Sequence, residues 1–325
     1  MSIPTIKLND GGEIPVLAFG TGSWLRGKAA TEYVDNALNF GFSHIDTAAI
    51  YYNEDSVGTA IRESGIDRKD LYITTKYDGG DIQEAIRASL EKLGLKSVDL
   101  YLIHFPGLVE KDFGGAWAEF VKIKESGLAR SIGVSNFTLE QLQTVVNTGT
   151  SIPAVNQIQF HAYNYASHKD LLEFSAKHGI VTEAFGSLAC VSRTTLFLLR
   201  SSLSPPDARS PITTYPGGAV DSVLATIAAR IGGTPAQVIF KWVLAKGAVV
   251  VTSTSRADRL KEYLAVTELP DLTEAEVASI DTAGAQGPPS PALKKLSKVL
   301  AALIAVLTVQ LVVLLLVKYV VYKDR

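Results

Sequence analysis

The chain is poor in the residues that build disulfide frameworks and metal clusters, since only Cys190 among its 325 residues is a cysteine. A single thiol excludes an internal disulfide and a cysteine-based zinc site, so the sequence predicts no metal and a reducing compartment. The formal net charge is −2, which gives no support to nucleic-acid binding by bulk attraction. The first residues lack the apolar core of a secretory signal, so none is predicted.

What the chain does have is a regular alternation of short apolar runs and longer helical patterns. A hairpin is predicted over residues 5–18, around the turn Asn9-Asp10-Gly11-Gly12. The helical patterns of the first half cover 29–40, 54–64, 81–93 and 114–127. The predicted strands are 15–18, 43–47, 71–76, 98–104, 131–135, 154–160, 180–184 and 248–251. Eight strands that alternate with helices over about 280 residues favour an α/β fold, a closed (β/α)8 TIM barrel, over an open sheet.

Four ionisable side chains are predicted at or just beyond the ends of neighbouring strands. Asp46 ends a strand within GFSHIDTAAIYYNE (41–54), and Tyr51 follows in the next turn. Lys76 ends LYITTK and His104 ends VDLYLIH. Taken singly, Lys76 is as readily a surface residue and His104 a core histidine. Because the carboxyl ends of barrel strands meet at one mouth, the four together predict a shared pocket.

The chemistry of these side chains suggests a proton-transfer site. A free tyrosine has a pKa of about 10 and is a poor acid at neutral pH. An ammonium group on Lys76 would stabilise the Tyr51 phenolate and lower that pKa, while Asp46 would hold the lysine in place. His104 could donate a hydrogen bond to a substrate oxygen. Since no side chain supplies a hydride, adding a proton to oxygen and a hydride to carbon implies a nicotinamide cofactor.

At these residues the chain resembles the aldo-keto reductase family, and in particular its fungal members. The matching segments, in the family's order, are GFSHIDTAAIYYNE, ITTK, YLIHFP, IGVSNF (132–137) and NQIQFHAY (156–163). The resemblance covers about residues 3–283, apart from 190–210. It implies a β/α barrel with an N-terminal hairpin, and NADPH-dependent reduction of aldehydes or ketones to alcohols, the reaction of NADP-dependent alcohol dehydrogenases. It also implies a catalytic tetrad with Tyr51 as general acid, whose other members are Asp46, Lys76 and His104.

The resemblance also implies a cofactor site. The residues that match those hydrogen-bonded to the nicotinamide carboxamide are Ser135, Asn136 and Gln157. Phe185 stands where the family usually has a tyrosine that stacks on the nicotinamide ring, and an aromatic face suffices for stacking. In the substrate pocket the resemblance places Trp24 and Phe105, and Phe105 replaces a more common tryptophan, which leaves the substrate open.

The segment 250–264 aligns with the one that binds the adenosine 2′-phosphate in the family. Ser253 replaces the usual lysine there. The remaining candidates are Thr254, Ser255, Arg256 and Arg259. Because arginine forks bind phosphate well, NADPH is expected to be preferred over NADH, by a smaller margin than with the lysine present. The alternative for both arginines is a solvated first helical turn.

Residues 190–210 interrupt the alternation with a loop that mixes apolar and basic residues without a clear period. Two hypotheses remain open: an insertion that rests on the barrel or a membrane, and translated non-coding sequence. Joining residue 189 to residue 211 restores an ordinary short loop, and long loops without structure are uncommon in compact domains.

The C-terminal part differs in composition from the barrel at 1–283. Residues 284–298 are predicted as a linker, and 299–322 as a transmembrane tail anchor. The run 299–317 carries no charge, and nineteen helical residues span about 28 Å, close to a bilayer core. A tail anchor predicts the endoplasmic reticulum or mitochondrial outer membrane with the barrel in the cytosol. The alternative is a buried C-terminal helix of the barrel. An amphipathic helix of that kind would carry a polar face, and the run 299–317 shows none.

Three functional interpretations follow. The first is an NADPH-dependent carbonyl reductase anchored by its tail, with a small-molecule carbonyl substrate and no nucleic-acid partner. The second is a cofactor-binding redox-sensing or scaffold subunit at a membrane without significant turnover, against which the intact tetrad argues. The third is a damaged enzyme, if residues 190–210 displace the loop that covers the cofactor. The sequence predicts no oligomeric state.

Overall fold

The structure is a computed structural model that describes residues 3–149, 151–190 and 218–289. Eight parallel strands close into a barrel, each hydrogen-bonded to the next in chain order, and the last to the first. They are β3 (Leu17–Gly20), β4 (His44–Asp46), β5 (Tyr72–Tyr77), β6 (Val98–Ile103), β7 (Ala129–Ser135), β8 (Val155–Gln159), β9 (Val181–Phe185) and β10 (Val249–Thr252). The predicted (β/α)8 barrel is confirmed.

An antiparallel hairpin of β1 (Thr5–Lys7) and β2 (Glu13–Pro15) precedes the barrel, as predicted. Its Leu8 and Ile14 belong to the same buried cluster as Leu100 and Leu102 of β6. These apolar contacts fill one end of the barrel interior. The polar side chains described below lie at the other end, where the strands terminate.

Helices follow the strands and cover the barrel. They are α1 (Thr31–Phe40), α2 (Glu54–Glu63), α3 (Ile82–Leu93), α4 (Phe113–Glu125), α5 (Leu139–Val146), α6 (Tyr165–Lys177), α7 (Ala219–Ile231), α8 (Pro235–Ala245), α9 (Ala257–Leu264) and α10 (Glu274–Ala285). Capping boxes on Thr138, Thr234 and Thr273 begin α5, α8 and α10, because each hydroxyl accepts a backbone N–H that the helix leaves unpaired. All six residues of β6 are buried, since one face meets the interior and the other meets helices.

Several predictions lie outside the described residues. They concern the segment 190–210 beyond Cys190, most of the linker 284–298 and the whole tail 299–322. The chain divides into two compact units, Met1–Gly287 and Pro288–Arg325. Across residues 3–149, 151–190 and 218–289, no single helix is long and apolar enough to cross a membrane. Only α7 and α8 together reach that length and composition, with a bend of 91° between them.

Candidate active site

A buried ion pair lies at the carboxyl ends of β4 and β5. Lys76 Nζ donates hydrogen bonds to Asp46 Oδ1 at 2.7 Å and to the Thr47 carbonyl at 2.9 Å. The two side chains are 0% and 3% exposed. Burial lowers the pKa of Lys76, but the charge of Asp46 and the Tyr51 phenol outweigh it, so the pKa is raised overall. Lys76 is therefore an ammonium ion, and such a buried charge is stable only while it stays paired.

Tyr51 ends the short 3-10 turn Ala49–Tyr51 that follows β4. Lys76 Nζ lies 5.2 Å from the centre of its ring, and the imidazole of His104 meets the ring edge-on at 5.5 Å. Gly22 passes so close that a Cβ there would lie 2.8 Å from Tyr51 Cζ and 3.1 Å from its hydroxyl oxygen. Any larger residue at this position would therefore force the phenol to shift from its place beside Lys76.

The pKa of Tyr51 differs from the expectation drawn from the sequence. Lys76 does lower this pKa, as expected, but burial raises it by more and Asp46 raises it further. The pKa of Tyr51 is consequently raised overall, because a phenolate in this enclosed position loses more hydration than Lys76 returns. Tyr51 is thus a protonated phenol throughout the neutral range.

His104 is a neutral imidazole. Burial, and then the positive charges of Lys76 and Arg26, lower its pKa to about 3. Its ring stacks on the ring of Phe105 at 4.2 Å, and Phe105 is 41% exposed at the mouth of the barrel. A neutral imidazole offers one N–H donor, and no other described side chain accepts from His104 Nδ1.

The three residues predicted to hold a nicotinamide carboxamide cluster at the ends of β7 and β8. Ser135 Oγ donates to the Gln157 carbonyl at 2.9 Å. Asn136 Nδ2 donates to the His104 carbonyl and to Ser135 Oγ, both at 3.0 Å. Asn136 adopts a left-handed backbone (φ 63°), which asparagine tolerates better than most residues. The cap of the following helix is Thr138, so neither Ser135 nor Asn136 serves as that cap.

Gln157 joins this cluster to the ion pair across the barrel. Its Nε2 donates to Asp46 Oδ2 at 2.8 Å and to Glu183 Oε2 at 3.0 Å. Glu183 lies in β9 and is fully buried. The sequence reasoning missed it, although a carboxylate two residues before Phe185 in a buried strand is a usable signal, because alternate residues of a strand share a face.

Two further predicted residues, Phe185 and Trp24, lie at the carboxyl ends of β9 and β3. Phe185 is half-buried at the end of β9, where its carbonyl accepts from Phe160 N at 3.0 Å. Trp24, in the turn after β3, packs edge-on against Tyr33 at 4.8 Å. Among the ranges that the structure describes, no group of three or more His, Cys, Asp or Glu side chains is arranged to hold a metal.

The candidate phosphate segment runs from the end of β10 into α9. Ser253 is half-buried, Thr254 buried and Ser255 exposed, and Arg256 is the N-terminal cap of α9. The Arg256 guanidinium forks onto the Asp258 carboxylate, with Nε–Oδ1 and Nη2–Oδ2 distances of 3.0 and 2.9 Å. Burial raises the pKa of the Tyr263 phenol well above its usual range, and the charge and hydrogen bond of Arg259 offset only part of that rise. Both arginines therefore have protein partners.

Fold and site together define a barrel that carries acid–base groups at the carboxyl ends of its strands, the usual position of an active site in this architecture. The sequence model of the aldo/keto reductase family matches residues 16–285. The chain belongs to this family of oxidoreductases.

Similar proteins align with this chain over most of their length. An aldo-keto reductase of Mycobacterium sp. (strain MCS) is 38% identical, with 86% of this chain and 90% of the relative covered. A protein of Schizosaccharomyces pombe named NAD/NADP-dependent indole-3-acetaldehyde reductase is 34% identical, with 85% and 94% covered. The structure of a Bombyx mori aldo-keto reductase in complex with NADP superposes with a TM-score of 0.73 at 29% identity, covering 87% of this chain and 93% of that one.

Proposed function

We propose that this protein is an NADPH-dependent reductase that converts aldehydes or ketones to alcohols, with Tyr51 as the proton donor. The observation that carries the proposal is the buried pair of Lys76 and Asp46 beside a protonated phenol and a neutral imidazole. Such a set favours proton transfer to an oxygen that gains negative charge.

Each side chain has a separate role in this proposal. Tyr51 donates the proton from its hydroxyl to the carbonyl oxygen. Lys76 stabilises the phenolate that this step creates, and Asp46 keeps the ammonium charged and in place through the 2.7 Å contact. His104, as a neutral donor, holds the carbonyl oxygen of the substrate. Phe105, stacked on His104, and Trp24 are the proposed apolar walls of the substrate pocket.

The residues present suit a nicotinamide cofactor. Both hydrogens of Gln157 Nε2 point to carboxylates, so its Oε1 is the atom that can accept from a carboxamide, beside Ser135 and Asn136. Phe185 offers a ring face for stacking. When bound, a reduced nicotinamide supplies the hydride that side chains lack.

At the phosphate end, Arg256 caps α9 and Arg259 lies in its first turn, where a helix N-terminus also favours anions. The flanking residues proposed to contribute are Ser253, Thr254 and Ser255. Because Arg256 is already paired with Asp258, NADPH is preferred over NADH by a modest margin. The name of the fission-yeast relative includes both NAD and NADP, which is consistent with only a modest preference for NADPH.

Turnover assays test the proposal. Purified full-length protein is mixed with NADPH or NADH and with a panel of aldehydes and ketones that includes indole-3-acetaldehyde, the substrate in a relative's name. Oxidation of NADPH by at least one carbonyl is expected. Cofactor binding without turnover of any panel member would instead favour the redox-sensing or scaffold subunit.

We further propose that residues 299–322 anchor the barrel to the cytosolic face of an intracellular membrane. The support is the uncharged run 299–317, which lies outside the described residues. Extraction of membranes at alkaline pH tests this: the full chain should stay in the pellet and residues 1–290 in the supernatant. Equal release of the full chain and of residues 1–290 into the supernatant would refute the membrane anchor. The narrower kinship with fungal members stays a proposal, since a mycobacterial and a fission-yeast protein are both relatives.

A further inference from the structure

Glu183 is a buried carboxylate for which the proposed mechanism has no role. It lies in β9, between Gln157 of β8 on one side and Val249 of β10 on the other. Its Oε2 accepts from Gln157 Nε2 at 3.0 Å, and its Oε1 has no hydrogen-bond partner among the described residues. A side chain so placed in the barrel interior bears directly on the orientation of Gln157.

The amide of Gln157 has two hydrogens on Nε2, and both are used. One goes to Asp46 on β4 at 2.8 Å, across the barrel, and the other to Glu183. The amide is therefore held at two points, and its Oε1 has to face away from both carboxylates. With only one of these two bonds, the amide plane could turn about the remaining bond.

The charges around Glu183 decide its protonation state. From β4 it faces His44 and Asp46, and from β5 Tyr72 and Lys76. His44 is a neutral imidazole, because burial lowers its pKa to about 4, and its Nε2 lies 3.9 Å from Glu183 Oε1. The ammonium of Lys76 is already neutralised by Asp46. Burial, and next the charge of Asp46, raise the pKa of Glu183 to about 8.

We infer that Glu183 is a positioning residue which, as a neutral carboxylic acid, fixes the Gln157 amide so that its Oε1 is presented to the carboxamide of the cofactor. A neutral acid accepts from Gln157 through Oε2 without adding a second negative charge beside Asp46. The inference rests on the proposed function, because it takes Gln157 to contact the nicotinamide. It assigns Glu183 no contact with substrate or cofactor.

Two substitutions separate the acceptor from the charge. Glu183→Gln keeps an acceptor for Gln157 and cannot ionise, whereas Glu183→Leu removes the acceptor. Titration of protein fluorescence with NADPH at pH 7 should give a dissociation constant within twofold of wild type for Glu183→Gln. It should be about tenfold weaker for Glu183→Leu, the equivalent of one hydrogen bond. Equal weakening in both variants, or none in Glu183→Leu, would overturn the positioning role.

Glu54→Leu is the matched control for Glu183→Leu, since it makes the same change at another buried carboxylate. Glu54 accepts from Thr75 Oγ1 at 2.6 Å, and Thr75 points away from the face of β5 that carries Lys76. The dissociation constant of the Glu54 variant for NADPH should stay within twofold of wild type. Weakening as large as that of Glu183→Leu would show that any buried carboxylate matters, which contradicts a specific role for Glu183.

A second readout does not depend on cofactor. An acid with a raised pKa in the folded state makes the protein less stable as pH rises from its unfolded pKa of about 4.3 towards the folded value. The melting temperature of Glu183→Gln relative to that of wild type should therefore rise between pH 6 and pH 8. If the two melting temperatures change in parallel with pH, Glu183 is not a neutral acid. If Glu183→Leu does not fold, the comparison of Glu183→Gln with wild type still tests the inference. Wild type that binds no NADPH would overturn the proposed function and leave this comparison intact.

Discussion

Replacing Lys76 by methionine tests the ion pair at the centre of the site. Methionine keeps much of the lysine's volume but leaves the Asp46 carboxylate, 3% exposed, without its cation. The hydrogen bond from Gln157 Nε2 at 2.8 Å remains, and one neutral donor does not offset the desolvation of a buried charge. Breaking a buried pair by removing one partner costs about 3–5 kcal/mol.

The loss of stability should appear as a lower melting temperature. At roughly 2–4 °C per kcal/mol, a loss of about 3–5 kcal/mol lowers the melting temperature at pH 7 by roughly 6–20 °C.

The double variant Asp46→Asn/Lys76→Met separates stability from activity. It removes both charges and keeps an acceptor for Gln157, so most of the lost stability should return, while reductase turnover should stay absent. Urea unfolding at pH 7, with NADPH oxidation measured in parallel, checks both expectations. A Lys76→Met protein as stable as wild type at pH 7 would refute the view that Asp46 is a buried charge dependent on this lysine.

Three further predictions follow from the site. Gly22→Ala should lower kcat tenfold or more with cofactor affinity unchanged, because its Cβ meets the phenol at 2.8 Å, whereas Gly107→Ala, with open space around it, should be neutral. Arg256→Ala should raise KM for NADPH about tenfold and leave KM for NADH unchanged; equal effects would exclude a phosphate contact. Burial lowers the pKa of three histidines, to about 4 for His44, about 3 for His104 and about 4 for His161. These histidines bind protons better when unfolded, so stability should fall as pH drops below about 6.5, and replacing His161 by glutamine should flatten the acid side of the melting curve.

The architecture could be predicted from the sequence because strands and helices alternate with clear boundaries. All eight strands of the barrel lie within a few residues of the predicted positions. The convergence of Lys76 and His104 with Asp46 followed from their places at strand ends, since parallel strands of a barrel end at one mouth. Sequence order and chemistry alone carried these inferences.

The rest depends on three-dimensional features that sequence order does not contain. Glu183 meets Gln157 only through the register of β8 with β9, and one residue of slip would turn it to the other face. The sign of the pKa shift of Tyr51 depends on burial depth, which outweighs the lysine. The fork between Arg256 and Asp258 depends on side-chain rotamers in the first turn of α9.

The most direct test of the account compares Tyr51→Phe with Tyr52→Phe in single-turnover reduction of a carbonyl by NADPH. The two tyrosines are neighbours, but Tyr52 is 73% exposed and lies outside the ion-pair cluster. Tyr51→Phe should bind NADPH within twofold of wild type and reduce the carbonyl at least a hundredfold more slowly, the usual contribution of a general acid. Tyr52→Phe should react at the wild-type rate. Wild-type reduction by Tyr51→Phe would contradict the assignment of Tyr51 as the proton donor.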